Sequence, residues 1–91
     1  MRNRVGTLRE ELSLLGQLGK RIAYLRKQNG MTQLDLSIVT GIAKSYISDL
    51  ETGNRNPTIM LLQTLASGIG ITLEELFRGI VPLEELAKMV E

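Results

Sequence analysis

The sequence contains no cysteine and no histidine. The first absence removes disulfides and thiolate zinc sites, and the second removes the usual transition-metal ligand and the commonest acid–base catalyst. Lysine, serine and carboxylates are present, but nothing gathers them into a site. No enzyme, cofactor or metal centre is therefore expected. No apolar run reaches the ~18 residues that span a bilayer, and the N-terminus shows no apolar signal-peptide core. The expected compartment is the cytoplasm, with no membrane partner. Alternating strand patterns of convincing length are missing as well. What is there is a chain of 91 residues, 43% hydrophobic, enough to build one core.

The net charge of +1 hides an uneven distribution. Residues 1–55 hold nine basic and five acidic side chains, whereas residues 56–91 hold two basic and five acidic. Such asymmetry suits a protein that turns one face to a polyanion and keeps another away from it.

Short amphipathic segments punctuated by glycine fill the chain. Thr7 and Glu10 form a capping-box pattern ahead of Leu8, Leu12 and Leu15 at helical spacing. Gly16 and Gly19 weaken that helix, and a first core helix over about 17–29, separate from the leading helix or fused to it through the glycines, carries Leu18, Ile22 and Leu25 and ends at Gly30. Thr32 caps a second helix with Asp35 in its first turn, and Leu34, Leu36, Ile38 and Val39 supply its apolar surface. Gly41 ends it. A third helix runs from Lys44 to Thr52 and stops at Gly53, before the turn-forming Asn54-Arg55-Asn56-Pro57.

Thr58 caps a fourth helix with Ile59, Leu61, Leu62, Leu65 and Ile69, closed by Gly70. Met60 and Phe77 join Leu61, Leu62 and Leu65 as core or interface. Thr72 and Glu75 make another capping box for a fifth helix, Leu73 to Phe77, and Pro82 opens a last segment with Leu83, Leu86, Ala87 and Val90 on one side. The expected fold class is all-α. Residues 1–16 read as an N-terminal helical extension, 17–79 as the main domain and 80–91 as a C-terminal helical tail. In the extension, Arg2, Arg4 and Arg9 make a basic arm, or its leucines cover the bundle or a partner subunit.

Gln33 through Thr52 carries the function. Two short helices crossing steeply over a tight turn need a residue at ease with a left-handed backbone, which Gly41 is. They also need a small residue where they cross, here Ser37. Leu36, Ile42, Ile47 and Leu50 fall at spacings that bury one face of each helix. Lys44, Ser45, Ser48 and Asp49 are then left outward, short or hydrogen-bonding side chains suited to groove edges.

These residues resemble the lambda repressor and Cro family of helix-turn-helix domains, also described as XRE-like. The resemblance spans roughly residues 18–79, through L-G-K-R-I-A-Y-L-R, G-M-T-Q-L-D-L, A-K-S-Y-I-S-D-L-E-T-G and I-G-I-T-L-E-E-L-F. Within that family, S-Y-I-S-D-L-E-T-G-N-R-N-P-T is similar to restriction-modification controller proteins and related small bacterial regulators. The resemblance implies a five-helix lambda-repressor-like domain, with short extra helical segments at both termini. It also implies a transcriptional regulator that binds double-stranded DNA as a homodimer at pseudo-palindromic operators, its third helix in the major groove.

Carried over by position, Gln33 matches a glutamine that opens the second helix and touches DNA. Lys44, Ser45, Tyr46, Ser48 and Asp49 match positions facing bases or adjacent phosphates. Asn54, Arg55 and Asn56 match a loop on backbone phosphate, and Arg26 with Glu51 matches a pair bridging the first and third helices. Alternatives stay open at most of them: Ser45 and Ser48 bond to bases or to backbone, and Gln33 and Arg55 contact DNA or are simply solvated. Lys44 donates to guanine or to a phosphate. Tyr46 packs on the core or reaches a phosphate or thymine methyl. Asp49 accepts from cytosine N4, or pairs with a neighbouring basic side chain and never touches DNA. Ala43 departs from the family, which commonly caps the third helix with serine or threonine there. Two rival readings use the same fold: an antitoxin-like module whose main partner is a toxin protein, and a protein-interaction adaptor. Activation rather than repression requires an RNA polymerase contact.

Overall fold

The computed structural model describes residues 13–82 together with Glu85, Lys88 and Met89. Five helices lie wholly among them, with no strand: α1 (Leu14–Gln28), α2 (Gln33–Thr40), α3 (Lys44–Glu51), α4 (Ile59–Ile69) and α5 (Leu73–Phe77); Glu85, Lys88 and Met89 are helical as well. The Thr7–Glu10 box, the arm arginines and the apolar positions after Pro82 lie outside the described residues.

Helix α1 begins three residues earlier than its spacing suggested, so it straddles the boundary expected between residues 16 and 17. The Ser13 hydroxyl accepts the Gly16 N–H at 3.1 Å, satisfying one of the free donors of the first turn. Both glycines stay inside the helix, at a cost of about 1 kcal/mol each against alanine. Packing explains Gly19. A Cβ there would overlap the Leu50 carbonyl oxygen and lie 2.7 Å from that of Glu51. The C-terminal end of α3 thus lies directly on the backbone of α1.

Leu18, Ile22 and Leu25 of α1 keep an i, i+4, i+7 stripe, and all three are buried. They meet Leu36 of α2, Ile47 and Leu50 of α3, Leu62, Leu65 and Ile69 of α4, and Leu76 of α5 in a single cluster. Helix α1 packs on α3 and α5, α2 packs on α3 and α4, and α4 packs on α5. Helix α3 is therefore clamped between α1 and α2 with its remaining face outward.

Three expectations change. On α2 only Leu36 is buried, while Leu34, Ile38 and Val39 are exposed, because two turns of helix offer the core a single apolar position. On α4 and α5, Met60 and Phe77, expected as core or interface, are exposed and lie off the Leu62–Leu65–Ile69 and Leu76 stripe, which leaves the interface reading of the two. Of the Thr72–Glu75 box one half forms, the Thr72 hydroxyl accepting the Glu75 N–H at 3.1 Å. No described helix is long and apolar enough to cross a membrane.

Candidate nucleic-acid interface

The turn between α2 and α3 is held by three short bonds. Gly41 sits in the left-handed region at φ 76°, and its N–H donates to the Ser37 carbonyl at 2.8 Å. The Ser37 hydroxyl donates to the Ile42 carbonyl at 2.6 Å, and the Ile42 N–H donates to Thr40 Oγ1 at 3.2 Å. Ser37 is thus small and also a strut across the turn. Ahead of it, α2 opens with a full capping box. Thr32 Oγ1 accepts the Asp35 N–H at 3.0 Å, and the Thr32 N–H donates to Asp35 Oδ2 at 2.8 Å. The Thr32 N–H on its carboxylate, aided by the Thr32 hydroxyl, holds Asp35 below its ordinary pKa. By contrast α3 begins after Ala43, which makes no side-chain cap.

Behind α3 lies a buried polar knot. The Arg26 guanidinium meets the Glu51 carboxylate with both prongs, Nε to Oε2 at 2.7 Å and Nη2 to Oε1 at 2.9 Å. Its Nη1 donates to the Met31 carbonyl at 2.7 Å, and the Gln33 amide donates to Glu51 Oε1 at 2.9 Å. Both charged side chains are only 7% exposed. Hydrogen bonding to Glu51 raises the Arg26 pKa above its ordinary value against burial, which lowers it. Helices α1, α2 and α3 are thereby fastened at one point. The Met31 carbonyl and the Gln33 amide are the members that the sequence did not reveal, Gln33 having been expected only at the DNA.

The front of α3 is different. Lys44 and Ser45, in its first turn, are exposed, and Ser48 is half-buried. Tyr46 is half-buried and packs on the core cluster. The loop after α3 turns back along the helix. Gly53, at φ 81°, donates to the Leu50 carbonyl at 3.1 Å, and the Asn54 N–H donates to the Asp49 carbonyl at 2.9 Å. A Cβ on Gly53 would lie 3.1 Å from Gly16 Cα, so the reversal is pressed onto α1. Thr52 Oγ1 donates to the Asp49 carbonyl at 3.0 Å and accepts from Asn54 Nδ2 at 2.9 Å.

This reversal sets Arg55 over the Tyr46 ring, 5.0 Å from its centre, with Nη2 at 3.4 Å from Asp49 Oδ2. Lys44, Ser45, Tyr46, Ser48, Asp49, Asn54 and Arg55 therefore share α3 or the loop bonded to it. Asn56 instead lines an apolar cleft of about 230 Å³ with Leu14, Leu18 and Phe77. Gln33 lies at the α2 N-terminus with its amide committed to Glu51.

Residues 22–76 match the helix-turn-helix family. The chain belongs to that family. A helix-turn-helix transcriptional regulator of Sinorhizobium fredii is 37% identical over 68 residues, covering 75% of this chain and 84% of the relative. Another such regulator, from Deinococcus deserti, is 39% identical over 64 residues, but this chain spans only 50% of its length. Among solved structures, the restriction-modification controller protein C.AhdI of Aeromonas hydrophila superimposes with a TM-score of 0.66 at 33% identity. It covers 70% of this chain and 96% of its own. The controller protein C.Esp1396I, solved as a tetramer on its natural 35 base-pair operator, has the same TM-score at 31% identity, covering 85% of this chain and 93% of its own. The all-helical, lambda-repressor-like architecture expected from the sequence is the one these structures share.

Proposed function

We propose that this helix-turn-helix regulator acts in the cytoplasm as a homodimer on a pseudo-palindromic operator, placing one α3 in the major groove of each half-site. The observation that carries the reading is the asymmetry of α3. Its back is fastened by the Arg26–Glu51–Gln33 knot, and its front offers Lys44 and Ser45 with no core duty. A helix held rigidly from behind, with short polar side chains in front, has the form that groove reading requires.

In this reading Lys44, Ser45 and Ser48 meet base edges and Tyr46 meets a base edge or a phosphate. Gln33 approaches the backbone beside the α2 N-terminus. Asn54 follows the phosphates and Arg55 supplies the charge of the loop, while Asn56 stands apart at the apolar cleft. Dimerisation is supported by exposed apolar side chains on the α4–α5 side, namely Ile59, Met60 and Phe77. The two reading helices of such a dimer would stand about 34 Å apart, one turn of B-DNA.

The test is binding to the duplex upstream of the protein's own gene, titrated across salt. Log affinity should fall linearly with log salt, by roughly 0.9 for each phosphate contacted, with clear preference over scrambled duplex. Failure to bind any duplex at low salt would remove the proposal.

A further inference from the structure

Asp49 is chemically out of place on a face that meets phosphates. A carboxylate there is repelled by the nucleic acid, and it is only half-buried, so no packing role accounts for it. The structure shows where it is spent. Its Oδ2 lies 3.4 Å from Nη2 of Arg55, while the Tyr46 ring lies under the same guanidinium at 5.0 Å. Three residues from two segments thus converge. Tyr46 and Asp49 are one helical turn part on α3, and Arg55 is brought back to them by the left-handed Gly53 and the Asn54 bond to the Asp49 carbonyl.

We infer that Asp49 and Tyr46 form a cradle that positions Arg55 as a selectivity element of the reading face, so that Asp49 serves recognition through Arg55 and not by accepting from a base. This deepens the DNA-binding reading above and rests on it.

The chemistry favours it. An arginine on an open loop carries about 2 kcal/mol of rotamer entropy, part of which is lost whenever it is fixed on DNA. A carboxylate at one edge and an aromatic face beneath hold the planar fork in place beforehand. Asp49 lies beside one Nη at ion-pair distance, and the guanidinium has five N–H donors, so others remain for a nucleic-acid acceptor. Cradling also tempers non-specific affinity. A free Arg55 would seek any phosphate, whereas a neutralised and oriented one rewards a site of matching shape.

The experiment is selection of binding sites from a random duplex pool by the wild-type protein. Affinities for the selected site and for scrambled duplex then follow for Asp49→Asn, Arg55→Lys and the double variant. Asp49→Asn should bind scrambled duplex more tightly and lower the preference for the selected site about fivefold, near the upper end for one exposed ion pair. Arg55→Lys keeps the charge but loses the fork and the stack, and should lower the preference further. The double variant should then match Arg55→Lys alone, since Asp49 has nothing left to position. Multiplied losses would overturn the inference, because Asp49 would be acting on DNA independently of Arg55. Unchanged preference in Asp49→Asn would overturn it too. If the wild-type protein selects no site at all, the regulator reading itself fails, a result distinct from either.

Discussion

Helix α3 is flanked by two arginine–carboxylate pairs that differ in almost every respect. Arg26 and Glu51, behind it, are 7% exposed each and meet with both prongs, the shorter contact at 2.7 Å. Arg55 and Asp49, in front, are 49% exposed each and meet once at 3.4 Å. The buried pair has no solvent to fall back on, so its members depend on each other and on Met31 and Gln33. The outer pair is open to water and is tied by one contact and the Tyr46 ring, so it adds little to folding while leaving donors of Arg55 accessible. One pair holds the reading helix still, and the other is free to take part in reading.

The strongest way to break the comparison is to delete one half of the buried pair. Glu51→Ala should cost about 3–5 kcal/mol, because Arg26 keeps its charge in a site that no longer answers it. A domain of this size has roughly 5–15 kcal/mol in all, so much of the variant should be unfolded near body temperature. Thermal melting by circular dichroism checks this. DNA binding should vanish with the helical signal, and a fully folded variant that merely fails to bind would overturn the expectation that binding is lost through unfolding.

Next in size is the backbone contact behind the same helix. Gly19→Ala would gain about 1 kcal/mol of helix propensity if α1 stood alone. The new Cβ meets the Leu50 and Glu51 carbonyls, which are backbone atoms with no rotamer to yield. Overpacking of this kind costs about 1–3 kcal/mol or more, so the net effect should be destabilising. Urea denaturation would measure it as a lower midpoint at unchanged slope.

Gly19 also shows what a single sequence can and cannot reveal. The caps at Thr32, Thr58 and Thr72 were legible because each is a local exchange, whereas Ser13, the cap of α1, was passed over for the box at Thr7 and Glu10. Ser, Thr or Asp beside an apolar stripe satisfies donors within three residues, as Thr32 does for Asp35. Gly41 was legible for a similar reason, since a left-handed turn between two stripes needs a glycine. Gly16 and Gly19 read locally as breaks in a helix. What they serve is the approach of backbone more than thirty residues away, which no local pattern encodes. The alternatives left open at Asp49 have the same origin. Its partner is six residues on, across a reversal whose shape depends on Gly53. On α2, four apolar residues in eight positions gave no way of telling which one would face the core.

A smaller effect sharpens the contrast at the start of α3. Helix α2 has both halves of its capping box, whereas α3 follows Ala43 with no side-chain bond to its free N–H groups. Ala43→Ser should supply that bond and stabilise the fold by about 0.5–1 kcal/mol. The rise in melting temperature should come without loss of DNA binding, because serine adds no charge near the phosphates. A fall in stability would mean that the first turn of α3 is already satisfied in another way.

The smallest expected effect falls on the outer pair. Arg55→Ala should change folding stability by no more than about 0.2–1 kcal/mol, the range for exposed ion pairs, even though it removes the ion pair and the stack on Tyr46 together. The near-zero result matters because the same variant should weaken operator binding markedly and reduce the salt slope by about 0.9 if Arg55 meets one phosphate. Stability and recognition would then separate cleanly across one helix, with substitutions behind α3 lowering both and substitutions in front lowering recognition alone. A large loss of stability in Arg55→Ala would erase that division. The loop reversal would then be holding α3 in place, and both pairs would belong to the scaffold.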